Sequence, residues 1–306
     1  MRRVVAFALV ASLVACSRDS GAPGSPGGPS GPPPASCTPT PGTQCFGTSD
    51  YVEYNGGDLP VVVSVPHGGA LAPATIPDRT GGTTVTDTNT IELGRAIASA
   101  FQSATGRQVH LVICHLRRTK LDANREVNEA AQGHPDAVRA WNEYHAFIEM
   151  ATAEVGRRDG RGVYVDLHGH GHAIARLELG YLLSSAQLSM TDAQLDAGGV
   201  GATSSLQRAL PHSSASFSEM LRGSTSLGGL LTVVPSVPSP STPSPGSDPY
   251  FTGGYSTERH TTTLPGVQIE SHFTGVRDSA ANRSAFAQQL VAAVRAFAER
   301  HLDLRF

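Results

Sequence analysis

The chain of 306 residues carries a net charge of −3 and is 39% hydrophobic, enough apolar material for a real core in one large domain or two small ones. Charge this close to neutral, with no long run of Lys or Arg, excludes a surface built for polyanions, so no nucleic acid is expected as a partner.

Met1-Arg2-Arg3 precedes an apolar run over residues 4–15, too short to span a bilayer as a mature helix and of the length of a signal-peptide core. Its end, Leu13-Val14-Ala15-Cys16, is similar to a bacterial lipobox. Residues 1–16 are therefore expected to be a lipoprotein signal peptide, with the exported protein anchored to a membrane face of the cell envelope by lipid on Cys16. Residues 17–50 are read as a Gly/Pro/Ser tether, since 17–36 have almost no apolar surface to bury. Within it, Cys37 and Cys45 suit a disulfide in an oxidising compartment, closing a small loop that contributes about 2 to 3 kcal/mol. Cys114 lies in an apolar run and is expected to be a buried thiol. No Cys-x-x-Cys pair is available to complete a thiolate zinc site.

Folded structure is expected from about Tyr51 to residue 306. The run 59–65 is β-branched and reads as a central strand ending at Pro66-His67-Gly68-Gly69, where two glycines turn the backbone and leave the imidazole uncovered. A Thr-rich loop over 83–90 leads to a helix with Ile91, Leu93, Ile97 and Phe101 near helical spacing, and Asp87 sits at or just before its start, the usual place for a cap. The apolar run 109–114 resumes as a second strand, and a helical link between two such strands favours parallel pairing. The charged stretch 115–126 follows at the strand end. Its Asp122-Ala123-Asn124-Arg125 segment presents a planar guanidinium, with Asp122 and Asn124 placed to orient it, as a receptor for a carboxylate. Residues 137–155 read as a core helix.

Residues 163–167 form another apolar strand, and the polar cluster His168-Gly169-His170-Gly171-His172 begins where it stops. In an open α/β sheet ligands bind at strand ends, which puts His168 at the lip of a cleft. Alternate histidines suggest a metal; the competing account is that they and Asp166 are turn residues bonding the backbone. Residues 174–183, which include Arg176, alternate like a strand with one wet face, and 195–221 read as helical. The Pro/Ser-rich segment 235–249 has no hydrophobic period and is expected to be a mobile surface excursion. Residues 250–255 suit a loop roofing a pocket, 267–270 form a short strand ending at Glu270, and 285–301 form a closing helix.

His67, Asp87, His168 and Glu270 thus stand at strand ends or loop starts. Two imidazoles and one carboxylate make a three-ligand Zn²⁺ site with an open position, the pattern of a catalytic zinc. Glu270 then fits the acid/base role outside the coordination shell. Glu92, further along the helix, rivals Asp87 as the acidic ligand.

Val63-Ser64-Val65-Pro66-His67-Gly68-Gly69, Asp87 at a helix start, Leu121-Asp122-Ala123-Asn124-Arg125, Val165-Asp166-Leu167-His168-Gly169-His170 and Gly266-Val267-Gln268-Ile269-Glu270 together resemble the N-formylglutamate amidohydrolase family. The resemblance runs in order from about Asp58 to the last helix. It implies an α/β fold, a three-layer α/β/α sandwich with a mostly parallel central sheet like that of zinc exopeptidases and bacterial cell-wall amidases. It also implies zinc-dependent hydrolysis of an amide, with His67, Asp87 and His168 as ligands and Glu270 matching the late catalytic glutamate of the cell-wall amidases. The Asp-x-Asn-Arg motif would lie in the substrate pocket, making Asn124, Arg125 and, as a further candidate, Arg176 substrate-binding residues.

The expected partner is therefore a small-molecule or peptide amide, an N-acyl amino acid of which the N-formyl form is one candidate. The cytoplasmic enzymes of that family lack an export signal and tether, so two alternatives are carried: an exported peptidoglycan amidase or peptidase with the same zinc machinery, and a non-catalytic ligand-binding surface lipoprotein.

Overall fold

The computed structural model of the protein describes residues 37–306. The expected signal peptide, its Cys16 and the expected tether up to residue 36 lie outside the described residues. Eight strands form one sheet: β1 (Gln44–Phe46), β2 (Val52–Asn55), β3 (Val61–Val65), β4 (His110–Cys114), β5 (Val163–His170), β6 (Leu177–Gly180), β7 (Ser236–Val237) and β8 (Gly266–His272). The long helices are α1 (Thr90–Thr105), α3 (Pro135–Asp159) and α9 (Ala280–Leu302). Shorter ones are α2 (Val127–Ala131), α4 (Ser185–Leu188), α5 (Asp192–Ala197), α6 (Phe217–Arg222), α7 (Leu227–Leu230) and α8 (Tyr255–His260).

The strand order is β1-β2-β4-β3-β5-β8-β6-β7. The inner four, β4, β3, β5 and β8, run parallel, while β2 and β6 join them antiparallel on either side. The sheet is thus parallel where it is buried on both faces and mixed toward its edges, as expected when helices cover the centre. Alternation along each strand splits the core in two. Val61, Val63, Val65, Leu111, Ile113, Val165 and Leu167 pack with α1 and α9 on one face, while Val62, Val112, Cys114 and Tyr164 pack with α3 on the other. The expected three-layer α/β/α architecture is what the chain adopts.

Four expectations need correction in detail. Ordered structure starts before Tyr51, because β1 pairs antiparallel with β2, Gln44 opposite Asn55, and Cys37 is bonded to Cys45 with Cα atoms 5.8 Å apart. The Pro/Ser-rich segment 235–249 is not a detached excursion. Ser236 and Val237 pair with Leu177 and Glu178 of β6 and both are buried; Pro235, which has no N–H to offer, instead accepts a hydrogen bond from the Leu177 N–H at 2.8 Å, as proline is able to do at a sheet edge. Residues 195–221 are several short helices, since Gly199, with φ +69°, breaks the run and Ser216 caps a fresh start at α6. Finally, β5 continues past residue 167 to His170, because its pairing with β8 extends to His170 opposite His272.

Candidate active site

Three neighbouring parallel strands deliver the chemistry. The end of β3 leads into His67, β5 carries His168, and β8 places Glu270 directly opposite His168. Gly69 is required after His67 because a Cβ there would stand 2.3 Å from the His115 backbone, a contact that only glycine escapes.

Asp87 arrives from the loop ahead of α1. Its backbone N–H donates to the His67 carbonyl at 3.0 Å, which ties the loop to the strand end. It does not cap the helix. The cap position belongs to Asn89, in a left-handed conformation with φ 66°, which leaves the Asp87 carboxylate to accept the Gly169 N–H at 3.0 Å and to face the imidazoles.

Nδ1 of His67 lies 3.4 Å from Asp87 Oδ2, and Nδ1 of His168 lies 3.5 Å from the same oxygen. The two rings meet edge to face, centroids 4.8 Å apart, and all three side chains are buried. Each imidazole is held from behind by a carboxylate: Nε2 of His67 donates to Asp122 at 2.6 Å, and Nε2 of His168 donates to Asp166 at 3.0 Å. This is the outer-shell pattern that fixes the tautomer of a metal-binding histidine and aims its other nitrogen. Nδ1 of His67 is buried without a hydrogen-bond partner, an orphaned acceptor aimed at the point where His168 and Asp87 converge. Two imidazoles and a carboxylate with this unfilled valence fit a divalent zinc. The rival, Glu92, is exposed on α1 and outside the cluster.

The electrostatics are those of a compressed charge cluster. Burial alone would raise the Asp87 and Asp166 carboxyls, but the facing histidines hold both below the usual range. Burial opposes the charged form of His168, yet Asp166 and Asp87 push its pKa well above the ordinary imidazole value. A cation at the convergence point would replace that proton. Glu270 behaves oppositely. Burial, reinforced by the charge of Asp87 and opposed by that of His168, pushes its carboxyl up to about 8. Its Oε1 stands 3.9 Å from His168 Nδ1 and accepts a hydrogen bond from Gln268 at 2.9 Å. Glu270 is thus beside the donor triad rather than part of it.

These groups floor a cavity of about 230 Å³, walled by Arg118, Asn124 and Arg125 and roofed by Tyr250, Phe251, Thr252, Gly253 and Gly254. The aromatic–glycine loop therefore occupies the roofing position its composition suggested. Asn124 accepts the Ser256 N–H at 2.7 Å and its amide lies 3.4 Å from His168 Nε2. Arg125 stands at the mouth, donating to the Asn124 carbonyl at 2.9 Å, with its side chain about a third exposed. Arg176 is elsewhere: its guanidinium donates to the Pro249 carbonyl and pairs with Asp248 and Glu178, so it does not line this cavity. Asp122 does not orient Arg125 as its position suggested; it holds His67 and accepts from Arg118 Nε at 2.9 Å.

Sequence reasoning missed Asp122 and Asp166 as the groups behind the histidines, and Arg118 as the cation bracing Asp122 beside Asp87. For Asp166 a signal existed, because it precedes His168 by two on a strand and so shares its face. For Asp122 there was none, since 55 residues separate it from its partner.

No family model matches the chain, and no curated protein sequence does. Among solved structures, the chain is similar to N-formylglutamate amidohydrolase from Ralstonia eutropha JMP134 at 14% identity, covering 86% of this chain and 99% of that one, with a TM-score of 0.47. It is similar to succinylglutamate desuccinylase from Chromobacterium violaceum at 15% identity, covering 83% of this chain and 70% of that one, TM-score 0.36. An N-acetylmuramyl-L-alanine amidase from Mycobacterium smegmatis shares 15% identity over 78% of this chain and 95% of its own, TM-score 0.32. Likeness at this level assigns no activity, so the chemistry rests on the chain's own residues.

Proposed function

We propose that the protein is a zinc-dependent hydrolase that cleaves the carbon–nitrogen bond of a small N-acyl amino acid or a related amide. The observation that carries this is the convergence of His67, Asp87 and His168, with the bare Nδ1 of His67 aimed inward, next to a buried carboxyl whose pKa lies close to neutrality. A zinc held by these three residues would supply Lewis acidity toward an amide carbonyl and acidify water. Glu270 is placed to accept a proton from the attacking water and return it to the departing nitrogen, the task for which a carboxyl tuned toward neutral pH is suited. As the water oxygen bonds to the carbonyl carbon and the C–N bond breaks, that proton leaves with the amine. Asp122 and Asp166 keep both imidazoles in register, and Arg118 offsets the charge of Asp122 and Asp87. A roofed cavity of about 230 Å³ suits a small substrate better than a polymer strand.

The test is the metal content of purified protein together with amine release from a panel of N-formyl and N-acyl amino acids and muropeptides. Zinc with turnover of acyl amino acids supports the proposal, turnover of muropeptides alone would favour a cell-wall amidase, and zinc without turnover of any member would leave a binding protein. We also propose export and lipid anchoring through Cys16, on the strength of the apolar run and lipobox-like residues. Cys16→Ser should abolish incorporation of labelled fatty acid, and undiminished labelling would remove the anchor from Cys16.

A further inference from the structure

We propose that His170, His172 and Glu178 form a second divalent-cation site, of zinc-binding chemistry, that fastens the roof of the pocket to the sheet. Donor atoms of these three residues lie within 4.8 Å of one another, with His170 and Glu178 buried. The site does not depend on the hydrolase proposal.

Its geometry follows from the sheet. His168 and His170 share a face of β5, so the two sites are separated by roughly 6.6 to 7 Å, two strand residues. That exceeds the roughly 3.5 to 4 Å of a shared two-metal centre. Cross-strand register puts Glu178 beside Glu270 and His272 beside His170. The His272 ring lies 5.4 Å from that of His170, a further imidazole at the open side.

The ligands are already oriented. Nε2 of His170 donates to the Arg176 carbonyl at 2.8 Å, which fixes the tautomer and leaves Nδ1 as an acceptor; it holds the His172 backbone N–H at 3.2 Å, a long bond that a cation would displace. A carbonyl behind one ring nitrogen is the usual support of a metal-binding histidine. Glu178 Oε1 is 2.9 Å from His172 Nδ1, while Oε2 accepts the Phe251 N–H at 2.9 Å. Tetrahedral zinc brings donors to roughly 3.3 Å from one another, a contraction that a small turn of the half-buried His172 supplies.

The same cluster holds the roof. Phe251 stacks on His172, centroids 4.7 Å apart and rings within 5° of parallel, so a cation joining His172 to Glu178 would lock both the ring contact and the Phe251 N–H.

The experiment is equilibrium dialysis of the full chain against Zn²⁺, with bound metal counted by mass spectrometry. Wild type should hold about two equivalents and His67→Ala/His168→Ala about one, and adding His172→Ala to that double variant should bring zinc close to none. In the wild-type background, His172→Ala should lose about one equivalent, with thermal unfolding confirming the fold. Cobalt(II) in the double variant should show the visible absorption of a tetrahedral site. Zinc at one equivalent in wild type that survives the double variant would support this site and remove the first. No zinc in a folded double variant, or stoichiometry indifferent to His172→Ala, would overturn it.

Discussion

Nε2 of His67 stands 2.6 Å from Oδ1 of Asp122, a residue with no exposed surface. Asp122 therefore decides which nitrogen of His67 faces Asp87. Replacing it by Asn keeps the shape but removes the charge that makes the imidazole a better donor, so Asp122→Asn should lower zinc affinity by about 10- to 100-fold. Competition with a chelator measures this directly. Affinity equal to wild type in a folded variant would reduce Asp122 to a partner for Arg118.

Glu270 is the test of the chemistry as distinct from the metal site. Its carboxyl neighbours His168 without joining the donor triad, so Glu270→Gln should keep zinc while turnover falls by roughly 10² to 10⁴, the scale of a lost acid/base group. Loss of zinc in this variant would instead make Glu270 a ligand.

The three layers were legible because the strands are long apolar runs with glycine or polar punctuation, and the parallel centre followed from the helix between residues 59–65 and 109–114. His67, His168 and Glu270 were legible for the same reason, as polar residues where such runs stop. Asp87 was ambiguous by sequence, since capping and ligating aspartates look alike; the left-handed Asn89 at the helix start separates them. The Pro/Ser-rich segment misled because composition says nothing of Ser236 and Val237, buried residues that stitch it to β6. Arg176 was misplaced because strand alternation shows that a side chain shares a face, not that Asp248 and the Pro249 carbonyl lie in wait for it.

The interior also sets a pH dependence remote from the site. His110 is buried against Tyr54, whose hydroxyl lies 2.8 Å from Nδ1, and burial pushes its pKa down from 6.5 to about 4. The unfolded chain thus takes up this proton first. The stability contribution is full above pH 6.5, falls as pH drops toward 4, and amounts to about 3 kcal/mol at most. His260, pushed down by burial to about 3, acts in the same direction. Urea unfolding at a series of pH values should therefore show stability declining below pH 6.5, and His110→Gln should flatten but not abolish the decline. Superimposable slopes for variant and wild type would mean that His110 is not held neutral in the folded state.

Specificity is expected to rest on Arg125. An acyl amino acid presents a carboxylate a few ångströms from its scissile amide, and the guanidinium groups that line the cavity are those of Arg118 and Arg125. Arg118 is engaged, donating to Asp122 and lying 3.5 Å from Asp87. Arg125 is at the mouth, held among the described residues by the Asn124 carbonyl and by a 3.3 Å approach to Glu129, whose side chain is 52% exposed. An ion pair that wet contributes little and yields readily to a better anion. A guanidinium grips both oxygens of a carboxylate through two parallel hydrogen bonds, a plane that the lysine ammonium does not reproduce. Arg125→Lys should therefore keep zinc and the fold while weakening turnover of substrates with a free α-carboxylate by about 10-fold, on the order of one charge-assisted hydrogen bond. Substrates with that carboxylate amidated should be poor at the outset and change little. If both kinds lose activity equally, Arg125 serves the wall of the cavity, through Asn124, and carboxylate recognition passes to Arg118.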